Sequence, residues 1–231
     1  MFRLILLLLF AAQSHAAEKS TFLFNRPADN PQSRYITELV SLAYRNLGID
    51  VKIVDFNHRS ALVAANEGEL DGQLARIEQV GDIYPNLIRV PFSLYAFNLQ
   101  ALKHCKKCAL NDLKSLVITE GYPVMENYLQ HHPFSGNLVR VKKISTQLNL
   151  LSQQKVDAAL VIDFHLPDSF MEQHLPDWSR DNIALVQTYH FVHVKHIALL
   201  PQLQAQFQQF ADNGTMKMLR EKYDLEDKDL K

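Results

Sequence analysis

The residues best suited to chemistry are those standing just after apolar, strand-like segments, because in an open α/β sheet ligands collect beyond the carboxyl ends of the strands. Arg76 closes the apolar segment Leu70 to Ile77. A guanidinium pairs bidentately with a carboxylate and keeps its charge at biological pH, so Arg76 either meets a carboxylate on a ligand or sits at a strand edge with Glu78 or solvent. Asn25 and Arg26 follow the first strand, Tyr95 follows the run Val90 to Leu94, and Asp163 follows Val156 to Ile162. Asp163 either faces a ligand or caps the turn from Phe164 to Pro167. The loop Glu120, Gly121, Tyr122, Pro123 opens a helix whose free N–H groups suit an anionic oxygen, and Tyr122 either stacks on a ligand or packs between lobes. Arg59 lies near a helix start and reads as a surface residue.

Other constellations exclude more than they suggest. The chain has no strand-to-helix nucleophile elbow, phosphate loop or paired-histidine helix motif, so enzyme readings lack parts, and Glu120 is the one glutamate a cleft enzyme would use. His190, His193 and His196 are three apart, a spacing that alternates faces on a strand and gathers no metal. Cys105 and Cys108 either close a short local disulfide in an oxidising compartment or stay as two thiols; they precede a polar loop rather than open a helix, against a redox-catalytic role. With 24 basic and 25 acidic residues interleaved along the chain, there is no basic face for nucleic acid or an anionic membrane. No cofactor is expected, and a monomer is.

The elements that must position these residues follow from periodicity. Arg3 and the apolar run Leu4 to Ala12, followed by Ser14, His15 and Ala16, read as a secretory leader cleaved after Ala16, too short for a membrane span of about 20 apolar residues. The mature chain is expected in the periplasm. Thr21 to Asn25 reads as a strand, the proline-containing stretch Arg26 to Pro31 as irregular, and the pattern Tyr35, Leu39, Leu42, Ala43, Leu47 as a helix from Ser33 ended by Gly48. Ile49 to Phe56 is a strand, Ser60 to Gly68 a helix, and Leu70 to Ile77 a strand, an order that predicts a parallel sheet covered by helices. A second such unit runs from Leu116 to Ile162. Helices at Leu200 to Phe210 and Thr215 to Tyr223 close the chain, with a charged tail from Glu226.

Three stretches carry a resemblance: Asn66, Glu67, Gly68, Glu69, Leu70, Asp71 with the later Val90 to Tyr95; Gln154, Lys155, Val156, Asp157, Ala158, Ala159; and Gly214 with Leu219, Lys222, Tyr223. In order and spacing the chain resembles the family 3 extracellular solute-binding proteins of amino-acid-binding type. The resemblance implies a two-lobed, type 2 periplasmic binding protein-like α/β fold. Lobe 1 would be 17–96 plus 195–231, lobe 2 would be 101–187, and hinges would lie near 97–100 and 188–194. It implies capture of a small polar or amino-acid-like ligand by lobe closure for ABC-type uptake, with an inner-membrane permease or a sensor receptor as partner. Asp163 lies close to the position of the acid that holds an amine in such proteins. The pattern departs after the third strand, where Glu78 to Asp82 stand in place of the usual Thr or Ser with Arg, and no arginine follows until Arg89. Sensory proteins, dehydratases and peptidoglycan lyases on similar folds are the alternatives.

Overall fold

The computed structural model describes residues 20–56, 58–166 and 168–225. The expected leader and the tail from Glu226 lie outside these. The first α/β unit is β1 (Thr21–Asn25), α1 (Pro31–Asn46), β2 (Asp50–Val54), α2 (His58–Glu67) and β3 (Gly72–Ile77). After α3 (Val80–Ile83) comes the long β4 (Leu87–Lys103). The second unit is β5 (Ser115–Thr119), α4 (Pro123–His131), β6 (Asn137–Val141), α5 (Ile144–Ser152) and β7 (Ala158–Ile162). Then α6 (Asp168–His174), the long β8 (Ser179–His193), α7 (Leu200–Asp212) and α8 (Thr215–Lys222) complete the chain.

Helix α1 begins at Pro31, two residues before the start expected from periodicity. A proline at the first helical position loses an N–H that would have had no partner anyway, so Pro31 starts the helix instead of blocking it. The Asn30 side chain accepts the Ser33 N–H at 2.8 Å and caps the turn.

Strands β4 and β8 pair antiparallel from Leu87 opposite His193 to Lys103 opposite Ser179. They form the spine of a six-stranded sheet in the order β3-β8-β4-β7-β5-β6. This ladder is far longer than the crossings expected near 97–100 and 188–194. Pro91 interrupts the sequence signal of β4, and the structure absorbs it where the register slips between Arg89 and Ser93, a place where a missing N–H is tolerated.

The parallel sheet expected for the first unit is only partly formed. β1 and β2 pair parallel as a separate two-stranded sheet, whereas β3 pairs antiparallel with β8. Gly72 permits that pairing, since a Cβ there would lie 2.1 Å from the Phe191 carbonyl oxygen. In the second unit β5 does pair parallel with both β6 and β7.

Both units use an aspartate at the turn into their last strand. Asp71 accepts the Leu23 N–H at 2.7 Å, tying β1 to the start of β3. Asp157 accepts the Ser115 N–H and hydroxyl, each at 2.9 Å, tying β5 to β7. Three residues before each aspartate the backbone is left-handed, at Gly68 (φ 84°) and Gln154 (φ 51°). Glycine adopts this conformation freely, whereas a side chain costs about 1 kcal/mol there. Gln154→Gly is therefore expected to raise the melting temperature by about 2 °C, measured by differential scanning calorimetry.

Helices α7 and α8 return to the first unit. Phe207 and Leu219 are buried, and Lys222 and Tyr223 both reach Glu38 of α1.

Candidate functional site

Five elements meet around one cleft. Asn25 comes from the end of β1, Arg76 from β3, Tyr95 and Phe97 from β4, Phe164 from the turn after β7, and Thr188 from β8. They enclose a cavity of about 120 Å³ containing Asn25, Arg76 and Tyr95. A second cavity of about 220 Å³ is walled by Leu62, Val80, Tyr122 and Val124. The two share Ala75, Arg76, Phe97, Phe164 and Thr188, so Arg76 faces both.

Arg76 has no carboxylate partner among the described residues. Its Nη1 donates only to the carbonyl of the adjacent Ala75, at 2.9 Å. Glu78, the edge partner the sequence offered, instead binds Arg89 at 2.5 Å, and Arg89 lies over the Tyr189 ring 4.6 Å from its centroid. Desolvation lowers the Arg76 pKa to about 10, which still leaves it cationic at neutral pH. A charge withdrawn from water with no counter-charge is unfavourable alone and becomes favourable when an anion arrives.

Asn25 supplies a second donor. Its Oδ1 accepts the Phe56 N–H at 2.9 Å, which fixes the orientation of the amide, and its buried Nδ2 is left with no acceptor. Tyr95 is nearly buried, tilted against Tyr35 with ring centroids 6.2 Å apart, and its carbonyl accepts the Thr188 hydroxyl at 3.0 Å. Phe164 meets Phe97 edge-on at 5.6 Å, and both rings line both cavities.

The other sequence candidates are placed elsewhere. Arg26 is exposed and pairs at 2.5 Å with the exposed Asp55, away from both cavities. Asp163 uses both carboxylate oxygens on the backbone, accepting the Asn98 N–H at 2.8 Å and the Phe164 N–H at 2.7 Å, and it lines an adjoining polar cavity that shares Gln32, Tyr95 and Phe164 with the smaller one. Tyr122 reaches the larger cavity, with its ring edge against His165 at 5.0 Å; burial raises its hydroxyl pKa. Glu120 is exposed and lines neither cavity. The side chain of Arg59 lies outside those described.

The histidines serve packing. His190 is buried against Tyr44, His196 Nε2 is 2.7 Å from Asp71, and His193 accepts the Lys195 N–H. Cys105 and Cys108 are joined as a disulfide.

Phe97, Phe164, Thr188 and Leu62 escaped the sequence reading. The strand-end rule named Asn25, Arg76 and Tyr95, which line the smaller cavity, but an apolar wall residue has the same sequence signature as a core residue. Only the position of Phe164, directly after Asp163, could have suggested it.

No protein-family model matches the sequence, nor does any curated protein. Solved structures do match. A histidine kinase sensor domain with similarity to periplasmic binding proteins superposes at TM-score 0.67, with 17% identity over 89% of this chain and 96% of its own. The amino acid ABC transporter substrate-binding protein AbpA of Streptococcus pneumoniae, bound to L-arginine, gives 0.65, with 15% identity over 89% and 94%. A mutant of ArgBP from T. maritima gives 0.63, with 16% identity over 88% and 95%. Backbone agreement over nearly the full length of each, with the spine and flanking α/β units described above, shows that this chain has the two-lobed fold of the periplasmic binding proteins.

Proposed function

We propose that this chain is an exported solute-binding protein that captures a small polar or amino-acid-like molecule bearing a carboxylate and performs no chemistry on it. The observation that carries the reading is Arg76, a desolvated cation with no carboxylate partner among the described residues, facing two cavities in the cleft. Asn25, whose buried Nδ2 has no acceptor among the described residues, lines the same smaller cavity and supports the reading as a second donor. Transporter substrate-binding proteins among the structural neighbours support uptake through an inner-membrane permease, and the apolar run Leu4 to Ala12, read as a leader to be cleaved after Ala16, supports a periplasmic location. Among the described residues no helix is long and apolar enough to cross a membrane. In this reading lobe 1 comprises 17–96 and 195–231, lobe 2 comprises 101–187, and torsions near 97–100 and 188–194 bring Tyr122 and Phe164 over a ligand held by Arg76.

A thermal-shift screen of the purified protein against small carboxylates, amino acids, amines and short peptides tests this. A ligand at about 100 times its Kd stabilises the folded state by about 2.7 kcal/mol, a shift of several degrees for a chain of this size. Shifts confined to carboxylate-bearing compounds are expected. Shifts with amines alone, or none in any class, would overturn the reading.

Asn25→Asp sharpens the test. It keeps the oxygen that accepts the Phe56 N–H but replaces the free donor with a negative charge facing the incoming carboxylate. Affinity measured by titration calorimetry is expected to fall by about tenfold or more.

A further inference from the structure

We infer that the cavity pair is built for a carboxylate on an apolar body with no ammonium group, a small branched-chain or aryl-alkanoic acid, in preference to a free amino acid. The inference rests on the carboxylate-capture reading above and narrows its ligand class.

The lining carries the argument. Beyond Arg76, the larger cavity presents Leu62, Ile77, Val80, Phe97, Val124 and Ile162, an apolar wall suited to a hydrocarbon body. Neither cavity is lined by an aspartate or glutamate among the described residues. A zwitterionic amino acid would therefore bring its ammonium group beside the Arg76 guanidinium with no carboxylate in the wall of either cavity to meet it, Asp163 standing in the adjoining polar cavity. In a desolvated cleft that like-charge pairing is strongly unfavourable.

The acid standing nearest in sequence is already engaged. Both Asp163 oxygens accept backbone N–H groups, from Asn98 and Phe164, and turning the carboxylate into the cleft would strand those two donors. What the same turn presents to the cleft is Phe164, edge-on to Phe97. The neutral oxygens at hand, the Thr188 hydroxyl that donates to the Tyr95 carbonyl and the Ala75 carbonyl that accepts from Arg76, keep lone pairs but carry no charge, so they do not offset an ammonium group as a carboxylate would. The position that would recognise an amine is thus occupied by an aromatic wall.

Titration calorimetry on the purified protein with matched pairs decides the point. The pairs are 4-methylpentanoate with leucine and 3-phenylpropanoate with phenylalanine, each differing only by the amino group, with 4-methylpentanamide as the uncharged control. The deaminated acid is expected to bind at least about tenfold more tightly than its amino acid, and the amide to bind more weakly than the acid. An amino acid binding as tightly as, or more tightly than, its deaminated partner would overturn this inference while leaving carboxylate capture standing. Failure of every carboxylate to bind, or an amide equal to its acid, would overturn both.

Discussion

Replacing Arg76 with methionine is expected to raise the melting temperature of the ligand-free protein while cutting carboxylate affinity by about 10- to 150-fold. The two effects share one cause. In the free protein the half-buried guanidinium is partly desolvated, which lowers its pKa to about 10, and no carboxylate among the described residues compensates it. A buried or partly buried charge replaced by an apolar side chain of similar length is commonly neutral or stabilising, and methionine fits an irregular apolar gap. With a ligand present the balance reverses, because the carboxylate loses a charge-assisted hydrogen bond worth about 1.5 to 3 kcal/mol. Calorimetric melting of the free protein, with titration of the best ligand into both forms, reads the two signs separately. A variant that binds as well as the parent would remove Arg76 from the site. A variant that melts far lower would show that the guanidinium supports the fold through a partner.

Acidification from about pH 6.5 to pH 4 is expected to destabilise the fold by roughly 3 kcal/mol through His190 alone. Burial lowers the His190 pKa to about 4, against weaker opposing bonds to the Leu74 and Gln73 backbone. Its Nδ1 lies 3.2 Å from the Leu74 carbonyl, which can only accept, so that nitrogen carries the proton. Nε2 then accepts the Tyr44 hydroxyl proton at 2.9 Å. The ring also sits among Phe24 and Phe207, so the neutral form is fully satisfied and the cation is not. The unfolded chain takes up a proton near pH 6.5 while the folded chain resists until about pH 4. Stability is therefore complete above the first value and falls between the two. His165, with a pKa also lowered to about 4 by burial, acts in the same direction. Asp71 acts at lower pH: burial opposes its charge, but Lys195, the Leu23 N–H and His196 together hold its pKa below the usual value, so its contribution is lost only under stronger acid. Melting temperature against pH for the parent and for His190→Gln checks the assignment. The variant should be less stable at pH 7, because the amide does not fill the ring's place against Phe24 and Phe207, and should show a shallower decline from pH 6.5 to 4. An unchanged slope would mean that His190 does not report the window.

Much of the fold was legible from local patterns. Helix α4 starts at Pro123 and α8 at Thr215, where proline and the Gly214 turn predict them, and the order of strands and helices along both units follows from apolar runs separated by amphipathic helices. The long β4–β8 ladder was not legible. Pro91 breaks the apparent strand, and the partners are far apart in sequence, so no local window contains the pairing. For the same reason the antiparallel placement of β3 beside β8 could not be separated from a third parallel strand.

The site divides along the same line. By itself the sequence determined the elements, the aspartate corners at Asp71 and Asp157, and the strand-end positions where a ligand could sit, because each depends on a side chain and its near neighbours. Tertiary structure alone decided which candidates face the cleft. Arg26 and Arg76 are the same residue type near the ends of neighbouring strands, but Arg26 meets Asp55 in solvent and Arg76 meets no carboxylate among the described residues. Asp163 and Phe164 are adjacent, yet the backbone of Asn98 claims the carboxylate and the cleft receives the ring. Charge compensation and desolvation depend on atoms brought together from distant parts of the chain, and for that reason the sequence could offer the candidates while only the folded molecule chose among them.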